Sequence, residues 1–283
     1  MPTMDDGGRS RFETLLVAYL AGEARAHERL LGDDFVEEYP QSGERIQGRA
    51  NALAVSAANP TPPAAMGPAR LTSCGEDLVA LEQKATYGTD PWWIVAVWDV
   101  RDGRAQRETA YFADPFTPPA WRAEWVEPIP TEAASDPERH QPVDRWVVER
   151  YTQALAANDL ETLGRLRHPD WVADLPQSGE RFHGHQAVLE ADRSYPGRMP
   201  SGAERRLGGP ADRWALSPSY VPLRIAGRGA HWVSESELTY PSGERVHGVA
   251  LIEFSHEMAI GERWYYCAPF EAPAWRRQWV EPR

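Results

Sequence analysis

Lysine is almost missing from this sequence. Of 30 basic side chains only Lys84 is a lysine, which nearly excludes Schiff-base chemistry, because that needs an amine able to shed its proton. Cysteine is as scarce: Cys74 and Cys267 lie in different halves of the 283 residues, so neither a disulfide framework nor a thiolate metal cluster is expected. No apolar run approaches the roughly 18–20 residues of a membrane-spanning helix. The opening MPTMDDGGRS has no apolar segment and does not read as a signal peptide. No glycine-rich loop joins a strand to a helix in the manner of a nucleotide phosphate site. The formal net charge of −12 repels phosphate backbones, so nucleic acid is not an expected partner. Together these absences lead us to expect a cytoplasmic protein, and the Arg-, Ala- and Pro-rich usage suggests a GC-rich bacterial genome.

What is present is a unit written twice. PQSGER stands at 40–45 and again at 176–181, and YFADPFTPPAWRAEWVEP at 111–128 matches YYCAPFEAPAWRRQWVEP at 265–282 in 11 of 18 positions. The two anchors are offset by 136 and 154 residues, so the second copy carries 18 extra residues between them. Between the copies lies PIPTEAASDPERHQP, with four prolines and no apolar periodicity, as in an extended spacer. Negative charge is uneven: residues 1–142 hold 13 basic and 23 acidic side chains, residues 143–283 hold 17 and 19.

Each copy follows the same order. Phe12, Leu15, Leu16, Tyr19 and Leu20 form one face of a helix, as do Val143, Trp146, Val147, Tyr151, Ala154 and Leu155. A second short helix is expected around 23–31 and 159–167, with Asp159 capping the latter. A strand (FVEEYP or WVADLP) runs into the hexapeptide, and a third helix follows near 49–57 and 185–194. Residues 78–87, 92–100 and 104–113 read as an antiparallel meander with Asp102-Gly103 as its tight turn. HWVSESELTY, RVHGVALIEF and GERWYYCAPF match them in the second copy. Helices followed by a curved antiparallel sheet make an α+β fold.

With these motifs in hand, the chain resembles the nuclear transport factor 2-like (NTF2-like) superfamily, nearest its SnoaL-like polyketide-cyclase type. The resemblance covers residues 11–283. It implies two tandem cone-shaped α+β barrels, each with three helices on a curved sheet, paired with each other as an intramolecular pseudo-dimer. The expected division is a flexible tail at 1–10, domains at 11–128 and 143–283, and a linker at 129–142. The resemblance further implies a pocket for a hydrophobic small molecule in each half, without a cofactor. The superfamily hosts isomerases, cyclases, epoxide hydrolases, dehydratases and non-enzymatic binders, and fold alone does not choose among them.

The repeated hexapeptide has two readings. As a site it would offer Glu44–Arg45 and Glu180–Arg181 at a pocket rim. As a turn it needs proline to end a strand and glycine to take a positive φ. A third copy, PSGER at 241–245, falls where the meander needs a hairpin, which favours the turn. Strand alternation puts Gln41 beside Glu37 and Tyr39, and Gln177 beside Ala173 and Leu175, on the side expected to face the cavity. Glu37 is therefore a candidate acid or base, and Gln41, Tyr39, Gln177 and Leu175 are candidate substrate contacts. The ketosteroid-isomerase-like branch has Asp directly before the proline, where Tyr39 and Leu175 stand here.

Two further acid positions match across the copies: Asp99 with Glu253, and Glu108 with Glu262. A two-residue turn at Asp102-Gly103 would put Asp99 and Glu108 on one face as diagonal neighbours, within about 7–8 Å. Carboxylates so placed can divide acid and base roles. Against that stands a solvated rim position for both. The histidines lack a convergent third ligand in sequence, so no metal site is expected. Trp92, Trp93 and Trp98 decorate both faces of one strand; Trp93 is taken as a substrate contact, the other face as meeting a partner, most simply the other copy. The Pro/Gly-rich stretches 59–70 and 195–213 read as lid-like loops, the second with Arg198, Arg205, Arg206 and Arg213.

Two functions fit: a cofactor-free acid–base enzyme acting on a hydrophobic small molecule, or a non-catalytic binder of one. A carboxylate facing the cavity would favour the enzyme. A third arrangement has one working copy and one structural copy.

Overall fold

The computed structural model describes residues 6–23, 25–130, 140–194, 220–240 and 243–283. The first copy contributes α1 (Asp6–Leu20), α2 (Ala26–Leu30), β1 (Leu31–Tyr39), β2 (Glu44–Gln47), α3 (Arg49–Ala58), β3 (Ala65–Ser73), β4 (Leu78–Tyr87), β5 (Asp90–Arg101), β6 (Arg104–Ala113) and β7 (Val126–Pro128). The second contributes α4 (Arg145–Ala157), α5 (Leu160–Leu166), β8 (Arg167–Leu175), β9 (Glu180–His183), α6 (Gly184–Arg193), β10 (Tyr220–Arg228), β11 (His231–Thr239), β12 (Arg245–Ser255), β13 (Met258–Cys267) and β14 (Val280–Pro282). The α+β class and the duplicated order are as the sequence implies. Asp159 caps α5 by accepting a 3.0 Å hydrogen bond from the Thr162 amide. Helix α1 reaches back to Asp6, into the stretch expected as tail.

The chain folds as two compact units that do not coincide with the written repeats. The first unit holds residues 1–112 together with 269–283; the second holds 113–268. Its closing motif is what each copy gives away. Strand β14, from the end of the second copy, pairs antiparallel with β2 (Val280 opposite Ile46), and β7, from the end of the first, pairs with β9 (Val126 opposite Phe182). The sheet orders are β14-β2-β1-β6-β5-β4-β3 and β10-β11-β12-β13-β8-β9-β7.

Neither sheet is wholly antiparallel. Strand β1 runs parallel to β6, with Glu37 opposite Glu108, and β8 runs parallel to β13, with Ala173 opposite Glu262. The outermost strands β3 and β10 were not anticipated. Gly67-Pro68 interrupts one and Pro222 the other, and both lie where the pairing register shifts. A proline is tolerated at an edge bulge because no ladder hydrogen bond is asked of it, but it erases the alternating pattern that marks a strand. Stretch 59–70 is thus a loop only to residue 64, and the loop at 195–213 with its four arginines lies outside the described residues.

Each unit has its own core between helices and the inner sheet face. Phe12, Leu16, Phe35, Ile46, Ala96 and Ala110 belong to the first, and Val147, Tyr151, Trp171, Phe182, Trp264 and Tyr266 to the second.

Candidate active site

The hexapeptide is the β1–β2 turn. Gly43 takes φ 66°, the Ser42 amide donates to the Tyr39 carbonyl at 3.2 Å, and Gly179 repeats the geometry at φ 75° in the β8–β9 turn. A β-carbon at positive φ is strained, so glycine is required here. At the third occurrence the Gly243 amide bonds the Tyr240 carbonyl at 2.8 Å, closing the β11–β12 hairpin. In the first two occurrences the glutamate accepts a short bond from the turn serine, Ser42 or Ser178, but its cation comes from far along the chain. Arg276 of the closing motif meets Glu44 through two hydrogen bonds, Nε–Oε1 at 2.9 Å and a shorter one from Nη2, and Arg122 meets Glu180 at 2.9 and 2.5 Å. Arg45 instead faces Glu38 and Glu281. The hexapeptide is a turn plus a buried anchor for the donated segment.

The glutamines hold the same junction. Gln41 Nε2 donates to the Phe112 carbonyl at 2.9 Å while its Oε1 accepts the Phe112 amide at 2.7 Å. Gln177 does likewise with Tyr266 at 3.0 and 2.7 Å, and donates to the Asp114 carbonyl at 2.6 Å. These amides are spent on backbone, so the expectation that Gln41 and Gln177 contact substrate is corrected. A buried side chain that replaces a missing ladder bond reads in sequence like a pocket residue.

The first unit encloses a cavity of about 640 Å³, within the range of small-molecule sites. Its walls include Tyr19, Trp92, Trp98, Phe112 and Trp275, and its polar groups include His27, Glu37, Tyr39, Glu108 and Arg276. Glu37 and Tyr39 therefore lie where strand alternation put them, joined by a short hydrogen bond from the Tyr39 hydroxyl to Glu37 Oε1. Burial raises the Glu37 carboxyl, and the Tyr39 bond and the nearby Arg276 charge restrain that rise. Burial and then the Glu37 charge push Glu108 well above the ordinary glutamate value. Burial also lowers His27, which stacks on Tyr19 with ring centroids 4.4 Å apart.

Asp99 is not part of this pair. On β5, Trp92, Ile94 and Trp98 line the cavity, so Asp99 belongs to the opposite face. The matched hairpin shows why: between β12 and β13 the register slips by one residue after Glu253, so Ile252 opposes Glu262 and Glu253 opposes Gly261. A one-residue bulge reverses the face assignment that a two-residue turn would give. Trp93 is likewise on the outer face, with Lys84 Nζ 4.8 Å from its ring centroid; Trp92 and Trp98 take the wall position expected of it.

The second unit differs sharply. The matching space is about 40 Å³, room for a few waters at most. At the repeat offsets, Trp264 stands for Ala110, Trp171 for Phe35, Arg167 for Leu31 and Ala173 for Glu37. Glu262 is enclosed: Trp171 Nε1 donates at 2.9 Å, Trp264 Nε1 at 2.6 Å, Tyr151 through a short bond, and Arg167 Nη2 lies at 3.4 Å. Leu175 lines this small space. Glu253 points to the other face and pairs with Arg263 at 2.6 Å. Burial works to raise its carboxyl, and Arg263 outweighs it, leaving Glu253 below the usual glutamate range.

Sequence reasoning missed Arg276, Trp275 and Phe270 as cavity residues of the first unit, because nothing in a repeat says that its last segment is donated. It also passed over His27, a lone histidine in a short helix.

No protein-family model matches the chain, and no curated protein matches it. Among solved structures, it is similar to an NTF-2-like protein of unknown function from Burkholderia xenovorans, with 31% identity over 48% of this chain and 92% of that one (TM-score 0.38). It is also similar to a candidate ketosteroid isomerase from Kribbella flavida (23% identity, 48% and 87% covered, TM-score 0.38). A candidate SnoaL-like polyketide cyclase from a Jannaschia species is more distant (11% identity, 37% and 86% covered, TM-score 0.32). These matches cover between 37% and 48% of this chain. On the 31% identity across nearly the whole of the Burkholderia protein, the chain belongs to the NTF2-like superfamily.

Proposed function

We propose that the first unit is a cofactor-independent acid–base enzyme for a hydrophobic small molecule, and that the second unit is a structural copy. The observation that carries this reading is the facing of Glu37 and Glu108 across β1 and β6 inside an aromatic cavity. Two acids in one poorly hydrated wall do not both ionise easily, so they share one proton over a wide pH range. Tyr39 and the Arg276 charge favour the anion at Glu37, while burial and the Glu37 charge favour the neutral acid at Glu108. Glu37 then serves as base and Glu108 as acid. Isomerisation, cyclisation, dehydration and hydrolysis are all reactions such a pair can run. Two buried carboxyls cost desolvation, and an acid–base role for them supports the enzyme over the binding reading.

The test is turnover of a panel of apolar ketones, enones and epoxides in D2O, followed by NMR with the full chain. Conversion or deuterium incorporation by the wild type, lost in Glu37→Gln, supports the enzyme. Binding without turnover by any member identifies the chain as a carrier. We further propose, as the sequence suggested, that the halves pair with each other and that the protein is cytosolic; the two cysteines are buried and form no disulfide. No helix among the described residues is long and apolar enough to cross a membrane.

A further inference from the structure

His140, His231 and Glu253 come from three separate stretches of the second unit, and their ligand atoms all lie within 4.8 Å of one another. His231 opens β11 and is the register partner of Glu253 on β12. His140 precedes α4 and reaches the same spot, with Nε2 3.3 Å from Glu253 Oε2. The two imidazoles meet edge to face, with centroids 4.7 Å apart. None of the three lines the small cavity of this unit or enters the chemistry assigned to the first.

The carboxylate is divided between two tasks. Its Oε1 receives Arg263 Nη1 at 2.6 Å, so the glutamate already has its cation, while Oε2 is turned to the imidazoles. Ligand atoms around a first-row ion with bonds of about 2.0–2.2 Å lie about 3–3.5 Å from each other. The His140–Glu253 spacing is already in that range, and small side-chain rotations bring in His231. Arg263 holds the carboxylate from behind, as outer-shell partners of metal ligands do. The arrangement is not demanded by the fold, since the register partners at the corresponding place in the first unit are Leu78 and Asp99.

We propose that His140, His231 and Glu253 form a site for one divalent first-row transition ion. Two imidazoles and one carboxylate suit zinc, cobalt, nickel or ferrous iron, and leave positions for water. The ion fastens His140, which precedes α4, to β11 and β12, a structural clasp within the second unit.

The test uses the untagged full chain, freed of metal by chelation, titrated with Zn2+ and with Co2+. One equivalent should bind by calorimetry, Co2+ should give the visible absorption of a nitrogen–oxygen site, and Zn2+ should raise the melting temperature. His140→Ala, His231→Leu and Glu253→Gln should each weaken binding at least tenfold. His231→Leu copies the residue found at that register place in the first unit, and the metal-free melting temperature of each variant reports whether it folds. His168→Ala and His183→Ala should leave binding unchanged. Absence of binding to the wild type, or binding equally strong in folded His140→Ala and His231→Leu, overturns the proposal and leaves the cluster as an ion pair.

Discussion

Glu37 and Glu108 are register partners on adjacent parallel strands, and both line the cavity of the first unit. The parallel pairing puts two acids remote in sequence side by side in one apolar wall. Burial raises both carboxyls, and the charge of Glu37 raises Glu108 further.

Stability should therefore fall with rising pH in a manner that depends on Glu108. Below the ordinary glutamate value of 4.5 the acid is protonated in both folded and unfolded chains. As pH rises, the unfolded chain releases its proton first, and the folded state loses its advantage until pH passes the raised folded value. Glu108→Gln, which never ionises, should gain on the wild type between those limits and hold a constant lead above them. Denaturant unfolding across pH 4.5–9 measures this; parallel curves would show that Glu108 titrates normally.

Activity should divide between the two acids. Once a substrate is in hand, Glu37→Gln and Glu108→Gln should each lower kcat/KM by about 10²–10⁴-fold, the usual worth of a positioned acid or base. Tyr39→Phe should lower it less and move the acidic limb of the pH–rate profile, which reports the Glu37 base, to higher pH, because the hydroxyl stabilises the Glu37 anion. Equal rates in Glu37→Gln and wild type would leave the pair without a chemical role.

The buried Glu44–Arg276 pair should be needed to hold the donated segment. Removing one partner strands a buried charge, so Arg276→Met should cost about 3–5 kcal/mol, and the double change Glu44→Leu with Arg276→Met should recover part of it. Glu180 and Arg122 should behave alike. Ending the chain at residue 268 should abolish the cooperative unfolding of the first unit, although it leaves the first written repeat intact.

Ligand stoichiometry should be one per chain in native mass spectrometry, because the cavity of the first unit is about 640 Å³ and the matching space in the second about 40 Å³. Trp264→Ala restores the residue found at that place in the first copy. It should cost about 3–5 kcal/mol as a cavity-forming change and open a second apolar space that takes up a small aromatic probe. No uptake would show that the wall collapses instead.

Much of this was legible without coordinates. The duplication, the inner face of α1, the turn at PQSGER and the inward direction of Glu37 and Tyr39 all follow from spacing, since side-chain direction in a strand repeats every two residues. In α4 the expected face holds for Val147, Tyr151, Ala154 and Leu155, whereas Trp146 is exposed and Val143 precedes the helix. Glu108 was also singled out, but with the wrong partner. A bulge is one extra residue with no sequence mark of its own, and it was enough to send Asp99 to the far face and Glu37 into its place. Trp93 and Trp92 exchanged roles for the same reason of parity.

By itself the sequence determined a tandem α+β protein and the turns that shape it, because those features are set by local periodicity and backbone freedom; its NTF2-like kind entered as a resemblance of motifs. Tertiary structure decided which copy is hollow, because that depends on whether Trp264 or Ala110 fills one place in space. It also decided that Arg276 anchors Glu44 and that two histidines converge on Glu253, since contacts between distant stretches are set by strand pairing and not by nearness along the chain.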